Sequence, residues 1–294
     1  MDVGICLPYS EPGITRQTLI DWCAAIEDSP LTSVSCGERI SGPHAMEMRA
    51  MMAGAAMLTK RIRIVTTLYI LPMHDAVWSA KEIATLDILC EGRLDVVVGT
   101  GGRPNDYAAV GADFATRNQR LPGQVAKMRE IWAGKPPFEG SEIVGPAPYQ
   151  PGGPRVMGGF AGPKAIAKSA AWADGLYGFS IPGHAGEIKE KMGWFEDAWN
   201  AAGRKGKPHK IGGFWYSLAD NAQAGLHHYV YEYLRIAGHD FATQVADSMT
   251  QHDPGLILDT MRAMKETGID ELFMVPASAD VTEVTRLAEL VAKI

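Results

Sequence analysis

Eight times along this chain a run of apolar and β-branched residues gives way to a stretch whose apolar positions recur every three or four residues, the signature of a strand followed by an amphipathic helix. The strand signals are VGICLPY, SVSCG, IRIVTTLYIL, RLDVVVG, RVMGG, GLYGFS, KIGGFWYSL and ELFMVPA. Helical patterns follow over 15–27, 46–58, AVWSAKEIATLDIL, 121–133, PKAIAKSAAWA, 185–202, 219–247 and 280–293, the last strand being fed by an amphipathic 254–267. Strands separated by helices pair in parallel, and eight such units in 294 residues match the count and size of an α/β (β/α)8 TIM barrel. A doubly wound sheet is the alternative. Its dinucleotide-binding form is disfavoured, because no G-x-G-x-x-G follows the first strand and GTGGRP places Pro104 where the last glycine belongs. One domain over 1–294 is expected, with insertions near 104–120, 134–154 and 238–255; an acidic-aromatic turn precedes helix 121–133, and the Pro/Gly-rich 134–154 reads as a loop or short hairpin.

With 46% hydrophobic residues and a net charge of −6, the chain can bury a large core and carries no basic tract for nucleic acid or anionic lipid. A small-molecule substrate is the expected partner. No signal peptide and no apolar run of about 18 residues is recognisable, so a cytoplasmic protein without a membrane span is expected. Cys6, Cys23, Cys36 and Cys90 lie far apart without metal-ligand spacing and read as buried thiols, with a nucleophilic Cys36 as the lesser alternative. No metal site is expected.

Barrel enzymes keep their sites at the C-terminal ends of the strands. That rule singles out Pro8 and Tyr9, Glu38 and Arg39, Thr67, Leu68 and Tyr69, Thr100, Gly101, Gly102 and Arg103, Gly158 through Gly162, Ser180, Trp215, Tyr216 and Pro276. Such a rim, aromatic and glycine-rich with few carboxylates, suits a flat aromatic ligand. Gly158, Gly159, Phe160, Ala161 and Gly162 join a strand to a helix opening on Pro163, where free backbone N–H groups suit a phosphate, with Lys164 adding charge; a plain tight turn is the competing reading. Thr100 and Arg103 offer donors after the fourth strand. Glu38 and Arg39 must either pair with each other or face a polar ligand. The methionines of 46–57 read as core or subunit contact, and the adjacent His227 and His228 as surface residues.

The stretch ILPMHDAVWSAKEIATLDILCEGRLDVVVGTGG, continuing through NDYAAVGADFATRNQR, resembles the central signature of the bacterial-luciferase-like family of flavin- and deazaflavin-dependent oxidoreductases. RVMGGFAGPKAIAKSAAWADGLY and GIDELFMVP are similar to the same family, so the resemblance spans nearly the whole chain. It implies a homodimeric barrel enzyme holding F420, or alternatively FMN, at the rim. The glycines after Val98 would then leave room for the cofactor tail, and Gly158, Gly159 and the following turn would bind its phosphate. The resemblance also implies a bulge, often with a non-prolyl cis peptide, at Thr67, Leu68 and Tyr69, where the ring would be propped.

Two departures bear on chemistry. Many relatives end the second strand with an acidic residue and a histidine, whereas this chain has Glu38 and Arg39, and arginine cannot trade protons. After LP, where relatives often carry a basic residue and then His-Pro, it reads Met73, His74, Asp75, leaving His74 as a substitute acid or a plain loop residue. The expected function is F420-dependent hydride transfer to or from a small organic substrate, the compact length resembling the deazaflavin branch, with Glu38, Arg39 and His74 catalytic, Arg39 orienting an anionic or carbonyl group of the substrate and Glu38 holding Arg39. An FMN-dependent monooxygenase supplied by a flavin reductase, or a flavin-binding protein without catalysis, are the alternatives. A phosphate-binding isomerase or aldolase finds only Lys164 as a Schiff-base candidate.

Overall fold

The computed structural model describes all 294 residues and closes the doubly-wound-versus-barrel question in favour of the barrel. Its elements run β1 (Asp2–Cys6), α1 (Arg16–Glu27), β2 (Ser33–Cys36), α2 (Met48–Leu58), β3 (Arg63–Tyr69), α3 (Ala76–Leu89), β4 (Leu94–Val98), α4 (Pro104–Ala109), α5 (Arg117–Trp132), β5 (Arg155–Gly159), α6 (Pro163–Ser169), β6 (Gly175–Phe179), α7 (Ala185–Ala201), β7 (His209–Tyr216), α8 (Ala222–Leu234), α9 (His239–Asp247), α10 (Pro254–Glu266), β8 (Glu271–Pro276) and α11 (Thr282–Val291). Every neighbouring strand pair is parallel, and β1 pairs with β8 through Asp2–Glu271 to Ile5–Met274, which shuts the ring. Between β3 and β4 the register slips between Thr67 and Tyr69, and the Thr67–Leu68 peptide is cis.

Strands of a closed parallel barrel are covered on both faces, which is why β4 reads LDVVV without alternation and is buried throughout. Inside the ring, Val65, Val97, Met157, Tyr177, Ile211 and Phe273 pack into a plug. Below the plug, at the N-terminal ends of the strands, lies a charged layer. Arg155 grips Asp95 with two 2.8 Å hydrogen bonds, Arg63 stands 3.2 Å from the same carboxylate and also pairs with Glu271, and Ser33 donates to Glu271. Burial alone would raise the Glu271 carboxyl; hydrogen bonding from His209, the Arg63 charge and the Ser33 hydroxyl together hold it below the usual range.

Local signals set the helix starts. Asp75 caps α3 by accepting from the Val77 and Trp78 amides, Asp253 caps α10 through Leu256, and Thr15 with Thr18 forms a capping box on α1. Two expectations are corrected. The acidic-aromatic turn is the short helix α4, since Pro104 presets the first helical position. Helix α5 begins at Arg117 and not at 121, with Pro122 inside it. Of the two readings of 134–154 the loop holds, fastened by Gln150, whose amide donates to Asp87 and whose side chain reaches Leu94 O at 2.8 Å. All four cysteines are buried free thiols, and burial pushes Cys36 well above the ordinary thiol range, which removes the nucleophile alternative. No helix is long and apolar enough to cross a membrane.

Candidate functional site

The C-terminal ends of β1 to β5 surround a cavity of about 510 Å³. Its floor is Leu68, whose side chain packs down onto the interior plug and is held over it by the β3 bulge. Adding a Cβ to Gly159 would drive it into Leu68 Cδ2, and one on Gly99 would come within 2.6 Å of Leu68 Cδ1. Of the glycines after Val98, Gly99 therefore makes room for Leu68, as does Gly159 at the end of β5. Gly101 turns the chain at φ +59°, a left-handed conformation that disfavours side chains, and Gly102 alone of this group faces open space. The turn is tied down by Tyr107, whose hydroxyl donates to Thr100 O at 2.6 Å.

Glu38 enters this cavity from the end of β2, with its carboxylate almost fully covered. Its Oε2 accepts the Ile70 amide at 2.6 Å and its Oε1 lies 2.7 Å from His74 Nε2. The other imidazole nitrogen, Nδ1, stands 3.5 Å from Arg49 Nη1. Because a guanidinium only donates, Nδ1 is the acceptor and Nε2 carries the hydrogen that His74 donates to Glu38. Arg49 in turn binds Glu82 at 3.0 Å, and Glu82 accepts from the Tyr69 hydroxyl at 3.0 Å. His74 is thus no plain loop residue, yet it does not face the cavity; it stands behind Glu38 with both ring nitrogens committed. Tyr69 likewise turns outward, toward α3, and away from the cavity that Thr67 and Leu68 line.

Arg39 does not pair with Glu38. Its Nε donates to Ser41 O at 2.6 Å, and it makes no salt bridge, which corrects the expectation that Glu38 holds it. The loop carrying it is fixed by buried Asp106 of α4, which accepts from the Ser41 hydroxyl, from its amide at 2.9 Å and from the Ile40 amide at 3.4 Å. Across the cavity Arg103 donates to Tyr233 O at 2.7 Å and lies over the Tyr233 ring, 5.0 Å from its centroid. Tyr233 packs edge-on against Trp215 and beside Tyr229, giving one wall an aromatic lining.

The β5–α6 turn contributes Gly159, Phe160 and Ala161. Gly158 lies outside the cavity, where a Cβ would meet the Phe160 ring at 2.8 Å; Gly162, also outside the lining, is the N-cap of α6, with open space at its Cβ and no side chain capping the helix. Free amides at this turn, together with the flat Leu68 floor and aromatic wall, fit a ring-and-phosphate cofactor. No group of three His, Cys, Asp or Glu side chains is arranged to hold a metal. His227 sits at the surface 2.9 Å from Asp247. Tyr233, Leu234 and Ile236 line the cavity without having stood out in the sequence, because they come from helices and not from strand ends, whereas Tyr107 of the acidic-aromatic turn and Asn118 lie in the expected 104–120 insertion. The i, i+4 tyrosines at 229 and 233 were the only visible cue.

Barrel, bulge and rim cavity together define a class, and a family model described as luciferase-like monooxygenase matches residues 1–292. The chain belongs to this family. A protein of Mycobacterium tuberculosis described as uncharacterised is 32% identical over 167 residues, which are 54% of this chain and 58% of that protein, so the match spans little more than half the relative's length. An F420-dependent secondary alcohol dehydrogenase in complex with an F420–acetone adduct superposes with a TM-score of 0.78 at 19% identity, over 98% of this chain and 97% of that one. The oxygenating constituent of 3,6-diketocamphane monooxygenase from Pseudomonas putida, in complex with FMN, superposes with a TM-score of 0.74 at 15% identity, over 100% and 98%. At these identities the two structures share the fold.

Proposed function

We propose that the chain is an F420-dependent oxidoreductase that moves a hydride between the deazaflavin and a small organic alcohol or carbonyl compound. One observation carries this reading: of the two carboxylates lining the cavity, Asp106 is committed to the Ile40 and Ser41 loop, whereas Glu38 is backed by a proton donor, His74 Nε2 at 2.7 Å. Alcohol–carbonyl interconversion transfers one proton for each hydride, and this pair matches that requirement. The bound cofactor would supply or accept the hydride. Thr67, Leu68 and the Gly101–Arg103 turn would cradle its ring, and the amides of Ala161 and Gly162 its phosphate. Glu38 would take the proton from the substrate hydroxyl, or return it, while His74 is a positioning residue that stabilises the Glu38 charge. Arg39 would orient the substrate.

The FMN-dependent monooxygenase remains the second reading, since FMN is bound by one neighbour of the same fold, and it would require a reductase partner. Pairing of two copies is supported by apolar side chains left exposed around α2 and α3, among them Met57 at 68% and Trp78 at 63%. Titration of the cofactor-stripped protein with F420 and with FMN, each oxidised and reduced and followed by cofactor fluorescence, tests the assignment. Selective F420 binding is expected; selective binding of reduced FMN moves the assignment to oxygen chemistry, and binding of neither overturns both.

A further inference from the structure

A second cavity of about 310 Å³ adjoins the first, and Arg39 and Tyr233 line both. Arg39 is half-buried, yet only its Nε has a protein acceptor; the terminal amines carry no hydrogen bond and no acid stands within ion-pair distance. The two terminal amines are therefore available as paired donors to an anion. The placement of Arg39 is fixed in advance. Asp106 fastens Ile40 and Ser41, and Gly42 at φ +141° lets the loop fold over the guanidinium, where a Cβ would lie 3.2 Å from Nε.

Around that fork the second cavity carries a second arginine and two imidazoles. His44, His228 and Arg235 face it beside Arg39, against two acids, Glu11 and Glu232. Glu232 is taken up by Arg235, 2.9 Å away. Burial pushes the Glu11 carboxyl up to about 7, so below neutrality it adds little negative charge. Pro12, Pro43 and Tyr229 supply apolar walls.

We infer that this second cavity is a carboxylate subsite: the substrate is an organic monocarboxylate whose reacting carbon lies in the main cavity and whose carboxylate is forked by the Arg39 terminal amines. A planar guanidinium with two free donors matches a carboxylate bidentately, and one unpaired arginine balances a single charge better than a phosphate dianion. The inference rests on the oxidoreductase reading for the substrate's reacting end, but not for its acidic end. A test on the protein alone keeps the two apart.

Benzoate and its uncharged analogue benzamide are titrated calorimetrically into wild type, Arg39→Gln and His228→Glu, each checked for a wild-type melting curve. Benzoate is expected to bind more tightly than benzamide, with Arg39→Gln weakening benzoate by roughly tenfold or more while benzamide is unchanged. His228→Glu, on an exposed helix surface, is expected to weaken benzoate in the same direction and carries the test if the Arg39 variant does not fold. Equal binding of the two probes, or benzoate affinity indifferent to both substitutions, overturns the subsite. So does a loss of F420 or FMN affinity in Arg39→Gln with benzoate unaffected, which would make Arg39 a cofactor ligand. Failure of both cofactors to bind would overturn the proposed function while leaving a benzoate result standing.

Discussion

His74 Nε2 stands 2.7 Å from Glu38 Oε1 while the opposite nitrogen of the same ring faces Arg49 at 3.5 Å. The arginine fixes the tautomer, so the imidazole is a one-way donor to the carboxylate. Glu38→Gln is expected to lower turnover by about 10² to 10⁴ with cofactor affinity unchanged, because in the proposed reaction it removes the proton acceptor and not the floor. His74→Gln keeps a donor and is expected to cost less than His74→Phe. Steady-state kcat beside a cofactor titration for the three variants decides this; equal activity in Glu38→Gln removes Glu38 from the chemistry.

At the closed end of the barrel, Glu271 is a fully buried carboxylate whose charge is stabilised by His209, Arg63 and Ser33. A carboxyl held below its unfolded value stabilises the fold above that value and loses the contribution as pH falls through the folded one. Urea midpoints are therefore expected to drop on acidification below about pH 5. Glu271→Gln should cost about 1–3 kcal/mol at neutral pH, since Arg63 loses one of its two carboxylates but keeps Asp95, and should flatten that acid limb. An unchanged pH profile in the variant would assign acid lability elsewhere.

Glu11 has the opposite sign. Its carboxyl, raised by burial to about 7 from an ordinary value of 4.5, makes ionisation harder in the folded state, so stability declines as pH rises across that interval. Glu11→Gln is expected to raise the melting temperature at pH 8 and leave it unaltered at pH 4. A variant that melts like wild type at both pH values contradicts the raised carboxyl.

Gly159→Ala is expected to destabilise the protein by about 1–3 kcal/mol, since the new methyl overlaps Leu68. Adding Leu68→Ala should recover part of that loss. Gly102→Ala, which meets nothing within 4 Å, should melt like wild type. Thermal denaturation of the set separates packing from backbone conformation; no recovery in the double variant would show that Leu68 is not the clash.

The barrel was legible because its evidence is periodic: every strand carries an apolar run and the helices between strands a three-to-four spacing, the six-residue α4 excepted. The rim residues from strand ends were legible for the same reason. What sequence could not show is where side chains turn after the strand stops. The slip between Thr67 and Tyr69 sends Tyr69 to the helix side, and the pairing of His74 with Glu38, 36 positions away, is a contact no local pattern encodes. Glycine likewise signals only that a side chain is unwelcome, and Gly99 and Gly159 make room for Leu68.

The ionic layer of Arg63, Asp95, Arg155 and Glu271 stoppers one end of the tube beneath a solid apolar plug. Such a vessel has a single doorway, used by everything that goes in and comes out. In the proposed reaction a cofactor seated against Leu68 and a substrate above it would both pass this rim, so addition with the cofactor first is the expected kinetic order.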